Sequence, residues 1–389
     1  MGSITVRVTF ILPTASMNGG TKVVAIYAQE LMRLGHTVLV VSAPLRTTPL
    51  RRKLKSWLML KGWPDDPKHI ESHLDHTLID HLLLDKWRPL TDADVPDADV
   101  VIATWWETAE WVYHLSPSKG AKVYFVQGHE IFSHLPLDRC QATYRLPMHK
   151  IVIARWLKEL MQSEYGDDTV DLVPNSVDTD QFHASVRGKQ SGPTVGLLYS
   201  SEVCKGLDLS LEVLRQLRER WTKLRVVSFG NEPVRDQLCL GEGAEFTRSP
   251  PQHEIRNFYA SCDLWLTASR SEGFNLPAME AMACRTPVVS TSTGWPAEAI
   301  KSGWNGVLVD VGDVAGLVEG ADWILSRSDQ VWRQLSANAY ATATAGSWGK
   351  SAKLFENALK HACQRAARGE IRGLPPAEIV VVENRKISG

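Results

Sequence analysis

The sequence lacks several features that would place it in a particular class of protein. Its six cysteines are scattered over 389 residues without a C-x-x-C pair, which argues against a disulfide framework or a structural zinc site and fits a reducing compartment. No apolar run reaches the roughly 18 residues that a membrane span needs. Neither sign of charge dominates, since 43 basic residues balance 44 acidic ones. The chain has no global basic field, and we expect no nucleic acid partner.

The composition is that of a globular chain. Hydrophobic residues make up 44% and charged residues 22%, and the length is typical of two domains. Residues 4–12 alternate before they become apolar, and no basic segment precedes them. They therefore predict a first buried strand rather than a signal peptide, and we expect a cytoplasmic protein.

Strand-like and helix-like segments alternate through the first half. A strand at 6–12 is followed by apolar residues at helical spacing over 21–34, and Gly35 ends that helix. Further strands are predicted at 37–41, 100–104, 123–127, 151–154 and 172–173. Such alternation predicts a parallel sheet with helices on both faces, which is an α/β fold.

The alternation restarts after residues 183–193, whose polar, glycine-containing sequence predicts a linker. The second half is predicted to contain strands at 194–199, 224–229, 264–267 and 287–290, with helices at 207–220, 255–261 and 277–284. We therefore predict two parallel-sheet domains that face a central cleft. Ligands of such sheets bind beyond the carboxyl ends of the strands.

The domain limits follow from these patterns. The N-terminal domain is predicted at 1–183 and the C-terminal domain at 184–346, with a helical segment at 347–368 and a tail at 369–389. Residues 45–92 form an insertion in the first domain. It is too long for a simple connection, so it must contain its own helices or a mobile flap.

The stretch from Ser269 to Cys284 carries the strongest chemical signal. Gly273 permits a tight loop after a strand, and Pro277 suits the first turn of the next helix. The free amides of that first turn favour an anion such as phosphate. Glu272 and Glu280 lie beside the same turn, where carboxylates would repel an anion but could bind hydroxyls. A nucleotide sugar satisfies both features, although a pair of solvated glutamates at a helix end would also explain the two residues.

Longer motifs around this stretch distinguish the two explanations. The sequence from Ser269 to Val289 closely resembles the signature of retaining glycosyltransferases of family four, which have the GT-B fold. Similar resemblances cover Asn18-Gly19-Gly20, Gly35-His36, residues 172–182, Lys205-Gly206-Leu207-Asp208 and Gly303-x-Asn305-Gly306. They occur in the family's order over roughly residues 4–360. The resemblance implies two Rossmann-like domains, with the helix at 348–367 crossing back to the first of them.

The resemblance also implies roles for individual residues. Glu272 would contact the donor sugar near the reacting carbon, Lys205 would neutralise the diphosphate and Glu280 would bind the ribose. His129, after the strand at 123–127, would face the sugar. The other donor-binding positions implied are Gly19, Gly20, Ser200, Gly230, Gly273, Phe274, Asn275 and Leu276.

Two parts of the predicted site depart from the family or carry a weaker signal. The family usually has an arginine where this chain has Ser200, so one positive charge on the diphosphate is missing. On the acceptor side, the aromatic and polar residues after two strands of the first domain could contact a sugar or pack in the core. These residues are Trp105, Trp106, Glu107, Gln127 and Glu130.

A basic segment at 46–61 could contact a membrane surface. It holds six basic residues and no acidic one, interleaved with apolar side chains such as Leu54 and Trp57. A basic amphipathic helix of this kind binds membrane surfaces, whereas a helix docked on the protein with a solvated face would show the same pattern. Peripheral attachment at the inner membrane face is therefore an open alternative.

Together these features predict a retaining hexosyl- or deoxyhexosyltransferase that moves a sugar from a nucleotide sugar to a glycan or lipid-linked acceptor. Its expected role is cell-surface or exopolysaccharide synthesis, without metal or other cofactor. The Asp-x-Asp pairs at 92–94 and 97–99 are interpreted as a solvated loop. The alternatives are a non-catalytic nucleotide-sugar-binding relative and a sugar-nucleotide epimerase on the same fold. A nicotinamide oxidoreductase is disfavoured because G-x-G-x-x-G does not follow the first strand.

Overall fold

The computed structural model describes residues 5–46, 48, 50–59, 62 and 71–371. The chain folds into two compact units. Unit 1 comprises Met1–Val152, Glu159–Asp171 and Ala352–Gly389, and unit 2 comprises Ile153–Lys158 and Leu172–Ser351. The domain limits at 183 and 184 stay a prediction.

The strands of both units are short and mostly apolar, as expected for parallel sheets that are covered on both faces. In chain order they are β1 (Arg7–Leu12), β2 (Thr37–Ser42), β3 (Asp80–Leu83), β4 (Val100–Ala103), β5 (Ala121–Val126), β6 (His149–Val152), β7 (Asp171–Leu172), β8 (Thr194–Leu198), β9 (Arg225–Gly230), β10 (Ala244–Arg248), β11 (Leu264–Thr267), β12 (Val288–Thr291) and β13 (Gly306–Val309).

Helices connect these strands. In chain order they are α1 (Gly19–Arg33), α2 (Leu50–Leu58), α3 (Trp106–Tyr113), α4 (Leu137–Thr143), α5 (Arg155–Tyr165), α6 (Leu207–Arg220), α7 (Ile255–Ala260), α8 (Leu276–Ala283), α9 (Gly294–Ala299), α10 (Val314–Leu325), α11 (Asp329–Ala343) and α12 (Trp348–Ala367). Within the described part of the chain, no helix combines the length and the apolar character that crossing a membrane requires.

Among the described residues, the strands form one sheet in each unit. The sheet of unit 1 has the order β3-β2-β1-β4-β5-β6-β7, and the sheet of unit 2 has the order β10-β9-β8-β11-β12-β13. Neighbouring strands run parallel, for example β1 beside β4 with Val8 opposite Val100, and β11 beside β12 with Trp265 opposite Val288. The carboxyl ends of each sheet's strands therefore lie at a single edge, where ligands bind in folds of this type.

Aromatic rings fill the centre of unit 1. Phe355 of α12 stacks on Tyr27 at a centroid distance of 4.5 Å and on Phe10 at 6.0 Å, and it meets Phe125 edge-on at 5.1 Å. All four side chains are fully buried. Each such ring pair contributes about 0.5–1.5 kcal/mol beyond its buried area. The last long helix is therefore part of the core of unit 1.

The core of unit 2 centres on Trp265 of β11. Its ring lies 4.6 Å from that of Tyr259 and 5.7 Å from that of Phe229. Trp332 of α11 is equally buried, and its Nε1 donates a hydrogen bond of 2.8 Å to the Asp263 carbonyl. These contacts fix β11, the strand that leads directly into the stretch with the strongest chemical signal.

The predicted alternation of strands and helices is confirmed, and most element ends move by only one or two residues. The sequence did not predict β10 or β13, which are short and partly exposed. The insertion at 45–92 contains α2 and the edge strand β3, while its positions 47, 49, 60–61 and 63–70 lie outside the described residues. Most of the predicted tail, 372–389, also lies outside them.

Candidate functional site

A lysine and a glutamate meet at the carboxyl edge of the unit 2 sheet. Lys205, in the loop after β8, places its Nζ 3.0 and 2.9 Å from the two carboxylate oxygens of Glu272, in the loop after β11. Ser269 donates a hydrogen bond of 2.8 Å to Oε1 of Glu272. The Ser269 carbonyl in turn accepts one of 2.6 Å from Thr291, at the end of β12. Residues near three strand ends thus hold the carboxylate in place.

Backbone packing brings the lysine to this position. Gly206 has φ of 63°, and a Cβ there would lie 2.0 Å from the Ala268 carbonyl oxygen. The Arg270 amide donates a hydrogen bond of 2.7 Å to the Cys204 carbonyl. The loops after β8 and β11 therefore touch backbone to backbone. Glycine is required at position 206 for both its conformation and its size.

The pair is partly shielded from solvent. The Lys205 side chain is 29% exposed and that of Glu272 is 8% exposed. Burial disfavours the charged ammonium, but the Glu272 carboxylate outweighs it and holds the pKa of Lys205 above its usual value. A small cavity here is lined by Lys205, Glu272, Ser269, Asn275 and Pro277, among others. The cavity thus offers a permanent cation to an anion and a carboxylate to hydroxyl groups.

The N-terminus of α8 opens onto this edge. Asn275 is the residue before the helix and adopts the left-handed conformation, with φ of 74°. Its Oδ1 accepts a hydrogen bond of 3.3 Å from the Ala278 amide, and its Nδ2 donates one of 3.1 Å to Thr267. This cap orients the first turn, whose amides carry the positive end of the helix dipole. A phosphate is the natural ligand of such a terminus.

The loop between Glu272 and α8 is held on several sides. Trp156 donates a hydrogen bond of 3.0 Å from its Nε1 to the Gly273 carbonyl, and the Trp295 amide donates one of 2.7 Å to the Phe274 carbonyl. The rings of Phe274 and Trp295 stack with centroids 6.0 Å apart. A Cβ at Gly294 would lie 2.7 Å from the Phe274 carbonyl oxygen. The loop is therefore preorganised by the protein itself.

Two other donor-side residues have contacts that the sequence does not reveal. Glu280 is 7% exposed, and its Oε2 accepts a hydrogen bond of 2.8 Å from the Tyr259 hydroxyl. Burial raises the pKa of Tyr259 well above its usual value, so this hydroxyl remains a donor. A Cβ at Gly230 would lie 2.2 Å from the Tyr199 carbonyl oxygen. Close packing against Tyr199 thus explains why position 230 is a glycine. The predicted ligand contacts of Gly230 and Glu280 stay predictions.

A carboxylate lies next to the position that lacks the family's arginine. Ser200 accepts a long hydrogen bond of 3.4 Å from the Glu202 amide. The following Ser201 donates one of 2.6 Å to Glu232, which pairs with Arg235 at 2.9 Å. The end of β8 therefore lies beside the Glu232–Arg235 ion pair, and both residues of that pair come from the loop after β9.

In unit 1, the predicted glycines begin α1. The Asn18 side chain accepts a hydrogen bond of 2.8 Å from the Thr21 amide and so caps the helix. A Cβ at Gly19 would meet nothing within 4 Å, while one at Gly20 would lie 3.4 Å from Asn18 Oδ1. Gln127 donates a hydrogen bond of 3.3 Å to the Gly20 carbonyl. The approach to this helix terminus is open at Gly19.

His129 and Glu130 follow β5 and differ in exposure. His129 is half-buried with its Nε2 2.7 Å from the Tyr165 hydroxyl, and burial lowers its pKa. Glu130 is 4% exposed and accepts hydrogen bonds from the Trp106 amide at 2.8 Å and the Tyr124 hydroxyl at 3.2 Å. Burial raises the pKa of Glu130 to about 8. Glu130 therefore joins the loops after β4 and β5, and its predicted contact with an acceptor stays a prediction.

Two of the remaining acceptor-side candidates, Trp106 and Glu107, contact arginine side chains. Trp106 is buried beneath the Arg139 guanidinium, which lies 4.9 Å from its ring centroid, while Trp105 is half-buried before α3. Glu107 pairs with Arg46, whose guanidinium stacks on Trp87 at 3.8 Å. The contacts of Arg46 with Glu107 and Trp87 have no signal in the sequence, because these residues lie far apart along the chain.

The aspartates of the Asp-x-Asp pairs bind basic side chains or backbone. Asp94 pairs with Arg88 at 2.6 Å, Asp97 with Lys119 at 2.9 Å and Asp99 with Arg7 at 3.0 Å. Asp92 accepts a hydrogen bond from the Ser116 amide. Asp92 and Asp97 are exposed and none of the four aspartates is buried, so the solvated loop that the sequence predicted is confirmed. The ion pairs explain the local acidity without a metal ion.

A separate group in unit 1 could in principle hold a metal ion. Among the described residues, His149, Asp171 and His361 bring their ligand atoms within 4.8 Å of one another. However, Arg365 Nη1 lies 3.0 Å from His149 Nδ1. This contact assigns Nδ1 as the acceptor and leaves the proton on Nε2, which then points towards Asp171. His149 and Asp171 lie where β6 and β7 begin. This is the opposite edge of the sheet from the candidate residues His129 and Glu130, which follow the end of β5.

Comparison with solved structures identifies the class of protein. Sucrose-phosphate synthase from Thermosynechococcus elongatus matches with a TM-score of 0.67 and 15% identity, covering 93% of this chain and 100% of its own. HepE of Anabaena, solved with UDP and glucose, matches with a TM-score of 0.68 and 15% identity, covering 91% and 99%. The predicted α/β architecture is confirmed, and the protein has the GT-B fold.

Sequence comparison then shows which proteins this chain is similar to. Residues 188–342 match the family model described as glycosyl transferases group 1. A D-inositol 3-phosphate glycosyltransferase from Frankia alni is 29% identical over 51% of this chain and 55% of its own length. A GDP-mannose-dependent alpha-(1-6)-phosphatidylinositol monomannoside mannosyltransferase from Mycolicibacterium smegmatis is 27% identical over 51% and 59%. The chain thus spans little more than half the length of these relatives. These matches support the resemblance to glycosyltransferases of family four, and residues 188–342 are similar to glycosyl transferases group 1.

Proposed function

We propose that this protein transfers a sugar from a nucleotide sugar to a hydroxyl group of a glycan or lipid-linked acceptor. The observation that carries the proposal is the Lys205–Glu272 pair beside the N-terminus of α8. A nucleoside diphosphate leaving group needs positive charge, and a sugar needs hydrogen-bond acceptors for its hydroxyls. Groups that meet both requirements lie together at the carboxyl edge of the unit 2 sheet, within the region that matches glycosyl transferases group 1.

Negative charge develops on the phosphate as the bond from the sugar carbon to the phosphate oxygen breaks. Lys205 and the positive end of the α8 dipole are prearranged to stabilise that charge, which is often the largest contribution to catalysis. An incoming phosphate draws the Lys205 ammonium away from Glu272. The released carboxylate then accepts hydrogen bonds from the sugar hydroxyls and keeps the reacting carbon beside the leaving group.

We further propose that transfer retains the anomeric configuration. The acceptor oxygen attacks from the face that the phosphate leaves, the bonding electrons stay with the phosphate, and the phosphate takes the acceptor's proton. The family resemblance supports this course. Proton NMR of the first product tests it: the linkage is expected to have the donor's anomeric configuration, and an inverted linkage would refute it.

We propose a hexosyl or deoxyhexosyl donor, and the GDP-mannose in one relative's name supports a hexosyl one. The relatives' names also support a phosphorylated or lipid acceptor, because they specify an inositol phosphate and a phosphatidylinositol monomannoside. A role in cell-surface or exopolysaccharide synthesis is consistent with such acceptors. We propose that no metal ion takes part. Activity should then survive chelation by EDTA, and a loss that magnesium or manganese restores would contradict this part of the proposal.

The first experiment is thermal unfolding with UDP, dTDP, GDP and ADP, followed by an assay for sugar release or transfer from the matching nucleotide sugars. At a hundred times its dissociation constant a ligand adds about 2.7 kcal/mol, equivalent to roughly 5–11 °C for a domain of 150–250 residues. One nucleotide should produce that shift and its sugar conjugate should be consumed. No shift and no consumption with any of them would reject the proposal.

A second candidate function is nucleotide-sugar binding without turnover. It is favoured by Ser200 and by the Glu232 carboxylate beside it, which together provide less positive charge for a diphosphate than the family pattern. The same experiment separates the two candidates. A nucleotide shift without release or transfer of sugar, tested with glycan and lipid acceptors, would support the binding protein.

A further inference from the structure

Helix α2 is exposed over most of its surface, with only Lys53 and Ser56 partly covered. None of its described residues, Leu50–Leu58, is buried. Large apolar side chains are exposed at Leu50 (69%), Leu54 (48%), Trp57 (59%) and Leu58 (73%). Exposed apolar groups at this density mark an interaction surface in a folded protein. The structure thus argues against a helix docked on the protein, one of the two interpretations of segment 46–61.

The apolar side chains lie on one stripe. Residues 50, 54, 57 and 58 are spaced by four, three and one positions, which places them within about 100° around a helix of 3.6 residues per turn. Lys53 borders the stripe on one side, and Arg51 and Lys55 border it on the other. An apolar stripe flanked by basic side chains matches a membrane surface, where acyl chains lie below the lipid headgroups.

Charge decides between a lipid surface and a second copy of this chain. Residues 46–61 contain six basic residues and no acidic one. Two copies of α2 packed face to face would oppose cations to cations, whereas anionic headgroups attract every one of them. Each basic residue near an anionic bilayer contributes about 1 kcal/mol, which is roughly a fivefold gain in partitioning.

We propose that α2 is a docking helix for an anionic lipid surface, lying in the plane of the interface with Leu50, Leu54, Trp57 and Leu58 inserted. This goes beyond the proposed glycosyl transfer, because surface binding requires neither donor nor acceptor. It would bring the enzyme to any acceptor that is held in the same membrane.

The test is co-sedimentation of the full chain with phosphatidylcholine vesicles that contain no phosphatidylglycerol or 30 mol% of it. Leu54→Glu places a charge in the apolar stripe. Leu354→Glu is its matched control, because Leu354 is 47% exposed on another amphipathic helix, α12. Arg51→Gln with Lys55→Gln removes two flanking cations. Thermal unfolding of each variant checks that the fold is kept.

We expect wild type and Leu354→Glu to bind the anionic vesicles and to release them as salt is raised. Leu54→Glu should lose at least about tenfold in partitioning, and the double glutamine variant about 30-fold. Equal binding to neutral and anionic vesicles, or undiminished binding of Leu54→Glu, would overturn the proposal. So would a self-association that Leu54→Glu abolishes without any vesicle binding. Transfer to a water-soluble acceptor should stay at the wild-type level in Leu54→Glu, which separates this proposal from the proposed function.

Discussion

The carboxyl edges of the two sheets are built in different ways. In unit 2, Lys205 and Ser269 both contact Glu272 directly, and the small cavity beside them is also lined by Asn275 and Pro277 at the start of α8. In unit 1, the corresponding candidates bind other protein groups: Glu130 holds the Trp106 amide, and His129 contacts Tyr165. The unit 2 edge is arranged for a ligand that carries its own charge, while the unit 1 edge is stabilised mainly by its own residues.

This difference shows what each edge requires from the sequence. A phosphate can be bound by a lysine, a glycine-permitted loop and a helix terminus, and the loop and the terminus leave a compact motif from Ser269 to Cys284. The predicted acceptor-side residue Glu107 contacts Arg46, whose guanidinium stacks on Trp87, and residues so far apart in the chain leave no local pattern. The candidate loop and helix of unit 2 can therefore be predicted from sequence, whereas the side-chain contacts at the unit 1 edge cannot.

The largest expected effect is on the unit 2 edge. Glu272→Gln should lower kcat/KM for sugar transfer about 10²–10³-fold, because the carboxylate that accepts the sugar hydroxyls is lost. Binding of the nucleoside diphosphate should not weaken, since Lys205 loses its competing partner. Glu202→Gln, an exposed glutamate at the same edge, is the control and should keep its activity. Steady-state kinetics measures kcat/KM, and calorimetric titration measures binding of the nucleoside diphosphate. Near-normal transfer by Glu272→Gln would contradict the role given to this carboxylate.

The next largest expected effect is on the free energy of unfolding. It shows whether the stability of the unit 1 edge depends on a buried, protonated carboxyl group. The pKa of Glu130 is about 8 in the fold, against an ordinary value of 4.5, so the folded state holds a proton that the unfolded chain releases. The stability that Glu130 contributes is complete below about pH 4.5 and is lost as pH rises towards 8.

Glu130→Gln should remove this pH dependence, which amounts to a few kcal/mol in the free energy of unfolding across that range. Urea unfolding of the full chain at several pH values measures it, with the exposed Glu159→Gln as the control. If wild type and Glu130→Gln lose the same stability between pH 5 and pH 8, the carboxyl group is not protonated in the fold.

A smaller effect on the free energy of unfolding is expected when one glycine in each unit is replaced by alanine. Gly206 and Gly166 both have left-handed φ values, but a Cβ at Gly166 would meet nothing within 4 Å, while one at Gly206 would collide with the Ala268 carbonyl. Gly206→Ala should lower the free energy of unfolding by about 2–4 kcal/mol and Gly166→Ala by about 1 kcal/mol. Chemical denaturation measures both, and equal losses would show that the contact at position 206 is unimportant.

Sequence periodicity predicted much of the fold because buried parallel strands and amphipathic helices have distinct patterns. The predicted helix at 207–220 and the strand at 264–267 coincide with α6 and β11. The short strands β10 and β13 were not predicted because few of their residues are buried. The exposure of α2 also required the structure, since an amphipathic sequence does not reveal whether its apolar face is covered.

The candidate site shows the same limit. The loop and helix after β11 were predicted from Gly273 and Pro277, and the structure confirms both elements. The Lys205–Glu272 contact joins residues far apart in sequence, and only the family resemblance placed them in one site. The left-handed conformation of Asn275 and the steric role of Gly230 depend on packing partners that no local pattern specifies.

The central claim is that the unit 2 edge binds a nucleoside diphosphate through Lys205. Calorimetric titration of wild type and Lys205→Ala, with the preferred nucleoside diphosphate and the corresponding nucleoside, tests it most directly. A hydrogen bond to a charged group contributes about 1.5–3 kcal/mol, so the Kd for the diphosphate should rise about 10- to 100-fold while any affinity for the nucleoside is unchanged. An unchanged Kd for the diphosphate would contradict the claim.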